Sequence, residues 1–225
     1  MRPEIVSIFE KFLNTDCQDI DALYILGDLF EVWVGDDHPV DGLESCLDAL
    51  KTLAQRTPVY FLHGNRDFLL GKAFADQYGL KLIAEHTVID LYGRAALVLH
   101  GDTLCIDDAE YQQFRKQVRN PEVQKEFLTH PLEARLAQAS GIRQESGNRT
   151  ALKDEMITDV NPDEVLRVMQ EHNVDLLIHG HTHRPAVHEL TVNGEAAERI
   201  VLSDWYEHGQ VLKVNAQGHR SCDLH

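Results

Sequence analysis

Short apolar runs, rich in branched and aromatic residues, alternate along the chain with stretches whose apolar residues recur at three- and four-residue spacing. The first pattern predicts buried strands, and the second predicts amphipathic helices. Strands are expected near 22–27, 58–62, 81–84, 87–91, 95–99, 174–178, 186–192, 198–203 and 210–215. Helices are expected over about the first dozen residues and near 41–55, 70–78, 107–140 and 162–172, with a polar stretch at Ser140–Lys153.

The order of these elements predicts a layered α/β fold in a single domain spanning 1–225, with a helical insertion at about 105–172. Two local signals mark boundaries within it. Asn161-Pro162 predicts a helix start, because proline fits the first helical position, where its missing N–H is not needed. Asn193-Gly194 predicts a hairpin, because both residues tolerate the positive φ of a tight turn between strands.

Side chains that bind metals follow four of the predicted strands. The segments are Leu26-Gly27-Asp28, His63-Gly64-Asn65-Arg66-Asp67, His100-Gly101-Asp102 and His179-Gly180-His181-Thr182-His183, with Asp36-Asp37 close behind the first. A strand that ends in glycine turns tightly and lifts the next side chain off the sheet edge, where ligands are usually bound. Four such ends with carboxylate, amide and imidazole donors predict a two-metal hydrolase.

Each segment taken alone has an ordinary structural explanation. Asp28 would serve equally as a helix cap or a turn residue, and Asn65 as a left-handed turn residue. The histidines are different, because His181 and His183 stand at alternate positions after a strand and point to one side. Neutral imidazole is the commonest ligand for borderline metals, so this pair favours metal binding even in isolation. The occurrence of all four segments in order favours the metal centre.

The segments resemble the ordered GD, GNH/R, H and GHxH motifs of the calcineurin-like metallophosphoesterase family. Longer stretches are similar to the branch of that family that acts in lipid A synthesis: Tyr24–Glu31, Phe61–Lys72, Leu99–Asp108 and Ile178–Leu190. The resemblance implies a β-sandwich flanked by helices, with a helical cap. It also implies Mn²⁺-dependent hydrolysis of the pyrophosphate of UDP-2,3-diacylglucosamine to UMP and 2,3-diacylglucosamine 1-phosphate. The reaction would take place at the cytoplasmic face of the inner membrane.

The resemblance also implies roles for single residues. Asp28 would bridge two metal ions, Asn65, His100 and His181 would hold the second ion, and His183 would reach the first. The implied catalytic group is Asp28, Asn65, Arg66 and His100. The implied substrate contacts are Asn65, Arg66, Asp108, Tyr111, Ser146, Thr150, Lys153 and His181, with Thr150 where the family has asparagine. His179 is expected to be structural or to support the ligands.

Arg66 suits the departure of a sugar phosphate. Many phosphodiesterases of this fold have a histidine at that place, which can protonate an alkoxide as it leaves. A sugar phosphate needs no such proton, because the second pKa of a phosphate monoester is about 6. A permanently charged guanidinium that stabilises developing negative charge fits this leaving group better. The alternative is a surface arginine paired with Asp67.

One family motif, DxH, is absent from this chain. Arg2–Ile5 matches the stretch that follows that motif, so Met1 stands where the DxH strand should already have ended. The chain is therefore expected to lack two ligands of the first metal and one strand inside the sheet. A truncated or misassigned start explains this better than natural loss, since every later motif is intact. As written, the polypeptide is expected to hold the second metal better than the first.

The predicted insertion carries an apolar stripe along 121–144, together with several acidic residues. The stripe consists of Phe127, Leu128, Leu132, Leu136 and Ile142. Such an amphipathic segment either lines a groove for acyl chains and touches the bilayer, or packs its apolar face on the body of the protein. The sequence leaves both arrangements open.

Composition limits the partners and the compartment. A formal net charge of −16 argues against a protein that binds duplex nucleic acid, which needs a basic surface. Neither a leader at Met1–Asn14 nor an apolar run long enough to span a bilayer is evident, so any membrane contact is expected to be peripheral. The 4 cysteines form no CxxC pair, which predicts free thiols in a reducing cytoplasm.

Two other functions stay open from the sequence. One is a nucleotide or cyclic-nucleotide phosphodiesterase of the same fold, which Arg66 and the insertion disfavour. The other is a catalytically dead, metal-binding remnant that binds lipid or protein, and the absent DxH motif alone supports it.

Overall fold

The computed structural model describes residues 2–150 and 159–224, with backbone alone for 145–150. The helices in it are α1 (Pro3–Lys11), α2 (Glu44–Ala54), α3 (Lys72–Tyr78), α4 (Ala109–Val118), α5 (Pro121–Leu128), α6 (Leu132–Thr150) and α7 (Pro162–Glu171). The strands are β1 (Leu23–Ile25), β2 (Val59–Phe61), β3 (Leu80–Leu82), β4 (Thr87–Leu91), β5 (Arg94–Leu99), β6 (Leu176–His179), β7 (Ala186–Val192), β8 (Glu195–Val201), β9 (Gly209–Asn215) and β10 (Gly218–Leu224).

The strands form two sheets and a hairpin. β1, β2 and β3 pair in that order as a parallel sheet. The second sheet has the order β4-β5-β6-β8-β7, in which β5, β6 and β8 run parallel and both edge strands run antiparallel to their neighbours. β9 pairs with β10 as an antiparallel hairpin. The predicted layered α/β architecture is confirmed.

Three groups of buried apolar side chains hold the layers together. The first, which includes Leu50 and Phe61, joins α1, α2 and α3 to the parallel sheet. The second, which includes Leu97, joins α7 to the five-stranded sheet. The third, which includes Val98 and Ile178, lies between the two sheets. Neighbours on β5 thus enter different cores, which explains why the apolar run there is continuous rather than alternating.

Both local boundary signals are confirmed. The Asn161 side chain accepts a hydrogen bond from the Glu164 backbone N–H (3.0 Å), and α7 begins at Pro162 as expected. Asn193 and Gly194 both adopt positive φ (52° and 85°) and connect β7 to β8. Asparagine and glycine tolerate this backbone conformation better than other residues, which is why this dipeptide indicates a hairpin.

The structure also corrects two predictions. The polar stretch expected from Ser140 is helical as far as the description reaches, because α6 continues to Thr150. A solvated helix needs few apolar residues, so its polarity resembles that of a loop. The last strand, Gly218–Leu224, was not predicted, because it carries His219, Arg220 and Ser221 within a single run. It exists through residue-by-residue pairing with β9 in a hairpin, which its own polar composition does not indicate.

The inserted helices leave their apolar side chains in contact with solvent. Neither α4 nor α5 buries a side chain. Phe114, Val123 and Leu128 are 37%, 37% and 44% exposed. In the stripe predicted along 121–144, Leu128 is exposed and the other four apolar side chains are half-buried, and none of them belongs to the three buried groups. The buried contact of α6 is polar, since the Arg135 guanidinium donates to Val34 carbonyl oxygen and to Asp37.

The cysteines fit the predicted reduced state. All four are free of disulfide bonds, and Cys17, Cys46 and Cys105 are buried. Burial raises the pKa of the Cys17 thiol to about 11 and those of Cys46 and Cys105 to about 12. Protonated thiols are poor nucleophiles and poor metal ligands, so these three residues act as small apolar core residues.

Candidate metal centre

The carboxyl ends of four strands meet at one point between the sheets. β1 runs parallel to β2, and β5 runs parallel to β6, so within each sheet both strands end on the same side. Across the sheets, the His100 Nδ1–H donates to the Leu26 carbonyl oxygen (2.8 Å). Within the second sheet, the Gly180 backbone N–H donates to the His100 carbonyl oxygen (2.8 Å). The four segments that carry the predicted metal ligands are thereby brought together.

Two glycines allow this close approach. Gly27 has φ +83°, and a Cβ there would overlap the Gly64 backbone. A Cβ on Gly64 would overlap the Asp28 carboxylate and its backbone nitrogen. The glycines of the first two segments are therefore required by the contact between the two turns, which places Asp28 against the loop of Asn65.

Three of the predicted ligands have a strained backbone. Asp28, His181 and His183 adopt positive φ (54°, 69° and 55°), although none of them is glycine. Residues in this region cost on the order of 1 kcal/mol each and persist only where the surroundings hold them. Their concentration at one end of the sandwich indicates a functional site rather than a set of ordinary turns.

Asn65 lies between two imidazole rings. Its side-chain oxygen is 2.9 Å from His100 Nε2 and 3.1 Å from His181 Nδ1. Because the His100 Nδ1 proton is donated to Leu26, a neutral His100 ring would direct its Nε2 lone pair at the amide oxygen. Lone pairs facing each other are unfavourable unless a cation or a proton lies between them, so this arrangement suits a metal ion. The Asp28 carboxylate lies at the edge of the group, 3.7 Å from His100 Nε2.

Electrostatics favour neutral imidazole at this centre. Burial lowers the pKa of His181 well below its ordinary value, and the neighbouring His100 lowers it further. A neutral ring keeps the lone pair that a metal requires. No three His, Cys, Asp or Glu side chains in the described ranges form a metal-holding group by themselves. The convergence of donors depends on the Asn65 amide, with Asp28 beside it.

His183 lies apart from this convergence. Its Nδ1 is 3.6 Å from an Asp204 carboxylate oxygen, and its side chain is 39% exposed. Asp204 was not among the predicted site residues, although it follows the apolar run of β8 as Asp28 follows that of β1. That shared position after a strand is the signal that could have found it.

The Arg66 side chain is held on both sides by carboxylates. Its Nε is 3.4 Å from Asp28 Oδ2, and its Nη1 donates to Glu31 (2.6 Å). Glu31 also accepts a hydrogen bond from Arg143 of α6 (2.8 Å). Glu31 and Arg143 were not predicted, because their contacts with this site join residues far apart in the chain.

The alternative pairing of Arg66 with Asp67 is wrong. The Asp67 carboxylate is fully buried and accepts from the backbone N–H groups of Gly64 (2.9 Å) and Phe30 (3.4 Å). Burial and the nearby charge of Asp28 raise the pKa of the Asp67 carboxyl above its ordinary value. Asp67 therefore shapes the turn beneath the site, and it leaves the Arg66 guanidinium to Asp28 and Glu31.

Two predicted substrate contacts on the insertion have structural partners. Asp108 caps α4 by accepting from the Tyr111 backbone N–H (3.0 Å). The Tyr111 hydroxyl donates to buried Asp102 (3.0 Å), while its ring centre is 6.0 Å from that of His181. Tyr111 therefore reaches the metal centre with its ring rather than its hydroxyl. The side chains of Ser146 and Thr150, and the whole of Lys153, lie outside the described residues.

Asp102 joins the insertion to the sheet, and its removal is expected to destabilise the protein. Its buried carboxylate accepts from Arg115 Nε (2.7 Å) and from the Tyr111 hydroxyl (3.0 Å). Asp102→Ala removes the buried partner of Arg115 and leaves its largely buried guanidinium with Glu85 alone, which costs about 3 kcal/mol of unfolding free energy. Urea unfolding measures this, with exposed Asp19→Ala as control. Equal stability of the two variants would contradict the assignment.

His179 and the acidic pair Asp36-Asp37 have contacts away from the candidate metal centre. Buried His179 donates from Nδ1 to the Gly180 carbonyl (2.8 Å) and accepts from Arg199 (3.1 Å), which is a structural role. Asp36 caps α3 by accepting from the backbone N–H groups of Gly71 and Phe74 (2.7 and 3.0 Å). Asp37 pairs with Arg135. The acidic pair Asp36-Asp37 thus lies outside the convergence of donors.

Comparison with known proteins agrees with this geometry. The family model for calcineurin-like phosphoesterases matches residues 2–185. The chain belongs to the calcineurin-like phosphoesterase family. Membership implies dependence on divalent metal ions, and the resemblance predicted from the motifs is confirmed.

The chain is also similar to curated proteins over nearly its whole length. The UDP-2,3-diacylglucosamine hydrolase of Stenotrophomonas maltophilia (strain K279a) is 51% identical over 225 residues, covering 96% of this chain and 91% of that protein. The protein of the same name from Cellvibrio japonicus is 52% identical over 218 residues, with the same coverage. The one from Salmonella typhi is 50% identical over 213 residues, covering 94% and 89%.

Membrane-spanning segments are not found in the ranges described. None of the helices there is both long enough and apolar enough to cross a bilayer.

Proposed function

We propose that this chain hydrolyses the pyrophosphate bond of UDP-2,3-diacylglucosamine at the α-phosphorus, giving UMP and 2,3-diacylglucosamine 1-phosphate in lipid A synthesis. The observation that carries the proposal is about 50% identity, over nearly the whole chain, to proteins that bear the name of this hydrolase. The convergence of Asn65, His100 and His181 beside Asp28 and Arg66 supports it, because it supplies both a metal centre and a fixed positive charge.

The proposed cofactor is Mn²⁺, with two ions in the complete centre. Asn65, His100, His181 and Asp28 would hold one ion, and Asp28 and His183 would contribute to the other. Bound divalent ions would polarise the phosphoryl oxygens and acidify a water molecule near neutral pH. Two protein ligands seldom hold a borderline metal tightly, so the site of His183 needs further donors.

Arg66 is the proposed partner of the leaving group. Asp28 and Glu31 restrain its guanidinium, so little conformational freedom is lost when it binds a phosphate. Its charge would stabilise the sugar phosphate as the bond to the α-phosphorus breaks. That leaving group departs without protonation, which explains why an arginine, which cannot act as a general acid, can stand at this position. The same feature disfavours the nucleotide phosphodiesterase alternative.

The insertion is the proposed binding surface for the acyl chains and for the cytoplasmic face of the inner membrane. Tyr111 on α4 lies beside His181, so the insertion borders the metal centre. The exposed side chains of Phe114, Val123 and Leu128 supply apolar surface there. Asp108, Tyr111, Ser146, Thr150 and Lys153 remain proposed contacts with the substrate head.

Hydrolysis in ¹⁸O-labelled water tests the reaction directly. Attack at the α-phosphorus places the label in UMP, whereas attack at the β-phosphorus places it in the sugar phosphate. Mass spectrometry of both products, with Mn²⁺ present, distinguishes them. Faster hydrolysis of a cyclic nucleotide than of UDP-2,3-diacylglucosamine would instead support the phosphodiesterase alternative.

The apolar surface of the insertion is expected to determine the affinity for membrane-bound substrate. Val123→Ser with Leu128→Ser should raise KM for substrate in vesicles about 10-fold, which corresponds to about 1.4 kcal/mol of lost apolar burial. The rate on a water-soluble short-chain analogue should change less than 2-fold.

A matched control is available on the five-stranded sheet. Val88 and Val187 are 45% and 51% exposed, so their replacement by serine removes similar apolar surface far from the insertion. An equal rise in KM from this control pair would show that general surface hydrophobicity, and not the insertion, governs binding to vesicles.

A further inference from the structure

Glu31 connects Arg66 to the helical insertion through a single oxygen atom. Its Oε2 accepts a hydrogen bond from Arg66 Nη1 (2.6 Å) and another from Arg143 Nη2 (2.8 Å). Arg66 stands in the loop after β2, whereas Arg143 belongs to α6. Two guanidinium groups that bind one oxygen lie close to each other, and their like charges repel. The negative charge of Glu31 offsets this repulsion, so it allows α6 to approach Arg66.

The loop after β1 holds α6 at a second point as well. The buried Arg135 guanidinium donates to the Val34 carbonyl oxygen and to the Asp37 carboxylate. Gly35 stands between these two acceptors, and a Cβ there would overlap the same guanidinium. Arg135 and Arg143 are eight positions apart, which is about two turns of the helix. The loop that begins with Asp28 therefore anchors α6 twice, and Glu31 is the anchor beside the candidate metal centre.

Glu31 borders the space in front of that centre. A cavity of about 820 Å³ lies between β1 and β9, and Glu31 and Arg66 line it together with Asp28 and His181. The Arg66 guanidinium extends from Asp28 Oδ2 (3.4 Å from its Nε) to Glu31. Among the described residues, Glu31 forms its hydrogen bonds with the two arginines. Any influence of Glu31 on the reacting groups therefore passes through Arg66.

We propose that Glu31 is a positioning residue, which fixes the direction of the Arg66 guanidinium and the place of α6 beside it. The two tasks are joined because one carboxylate oxygen serves both. α6 continues to Ser146 and Thr150, two of the proposed substrate contacts, so the same oxygen influences where they stand. This role rests on the proposed function, in which Arg66 stabilises the departing sugar phosphate.

An ion pair that only stabilises the fold is the rival interpretation. Glu31 and Arg143 are 33% and 46% exposed, and exposed ion pairs contribute little to the free energy of unfolding. The buried Arg135 holds α6 independently of Glu31. Replacement of Glu31 is therefore expected to leave the fold intact, and its effects on catalysis and on α6 can be measured.

The test compares Glu31→Ala and Arg143→Ala with a control, Glu195→Ala, which removes an exposed carboxylate at the start of β8. Arg66→Ala and the double variant Glu31→Ala with Arg66→Ala complete a mutant cycle. Three quantities are measured for each: kcat and KM of UMP release with Mn²⁺ present, hydrogen exchange at the amides of 136–144, and the temperature of thermal unfolding.

We expect Glu31→Ala to lower kcat about 10-fold, because Asp28 still holds the other side of the Arg66 guanidinium. When Arg66 is already alanine, the same substitution should lower kcat by less than about 2-fold. Arg143→Ala should instead raise KM about 3-fold with little change in kcat.

Hydrogen exchange reports the position of α6 without reference to the reaction. Glu31→Ala and Arg143→Ala should each speed exchange at 136–144 about 3-fold, the scale of one exposed arginine–carboxylate pair. Arg66→Ala should leave it unchanged, since the pair of Glu31 and Arg143 remains. The unfolding temperature should be the same in Glu31→Ala as in Glu195→Ala.

Three results would overturn the positioning role. One is exchange in α6 that is equal for Glu31→Ala and Glu195→Ala. Another is a loss of kcat from Glu31→Ala that is as large without the Arg66 side chain as with it. The third is a lower unfolding temperature with faster exchange throughout β5 and β6, which would identify a structural ion pair. If the wild type releases no UMP while α6 responds as expected, the proposed function fails and the anchoring of α6 by Glu31 stands.

Discussion

Replacing Asp28 with alanine is expected to reduce UMP release at least 1,000-fold, which corresponds to about 4 kcal/mol of activation barrier. Asp28 is the carboxylate nearest the convergence of donors, with Oδ2 3.7 Å from His100 Nε2. It also accepts from the Arg66 backbone N–H (3.0 Å) and lies 3.4 Å from the guanidinium. One substitution therefore removes the proposed bridge between the two ions and one of the groups that hold Arg66.

Two further variants separate charge from shape. Asp28→Asn keeps an oxygen acceptor of similar size for the Arg66 backbone but loses the negative charge, so activity and Mn²⁺ content should fall nearly as far as in Asp28→Ala. Asp41→Ala removes an exposed carboxylate from the following loop and should change neither quantity. The measurements are UMP release and bound metal by elemental analysis. Wild-type activity from Asp28→Ala with Mn²⁺ present would show that the metal centre is misassigned.

Replacing Arg66 with alanine is expected to slow cleavage of UDP-2,3-diacylglucosamine by roughly 100-fold, the scale of losing one charged donor to a transition state. The substitution should lower kcat by a larger factor than it raises KM, because the charge on the leaving group develops as the bond breaks. Metal content should change little, since the His100 and Asn65 contacts do not involve the Arg66 side chain.

Replacement of Arg66 by histidine distinguishes charge from proton transfer. At neutral pH, histidine should not restore the rate, because it lacks the permanent charge of arginine and the paired N–H groups that bind a phosphate in bidentate geometry. Arg143→Ala serves as a matched control, because it removes the other guanidinium on Glu31 and should cost less than 10-fold. Full restoration by histidine at pH 7 would indicate general acid catalysis and favour the phosphodiesterase alternative.

Much of the site was predictable because it depends on local chemistry. Gly27 and Gly64 are needed where two turns touch, and each precedes a predicted metal ligand after an apolar strand. The doublet of His181 and His183 was predicted to share one side, but only His181 joins the convergence of donors, since His183 lies beside Asp204. Signals of this kind are contained in a few consecutive residues, so the order of the segments predicted the family and the metal donors.

Other features could not be read from short segments. Glu31 binds Arg66 across 35 positions of the chain, and Arg143 binds Glu31 across 112 positions. The assignment of Asp67 to the turn instead of to Arg66 depends on its complete burial. Long-range contacts of this kind exist only after the helices and sheets have packed, and no periodicity in the sequence records them.

The sequence by itself determined the layered α/β class, the strand ends with their candidate metal ligands, and the chemistry expected of Arg66. Local backbone preferences, side-chain donor types and apolar periodicity are properties of neighbouring residues, so they can be recognised in the sequence before the fold is known. The tertiary structure alone decided that Asn65 lies between two imidazoles, that Leu128 of the insertion stays exposed, and that β1 and β9 border one cavity. These are relations between distant segments, and they depend on how the sheets pack against each other.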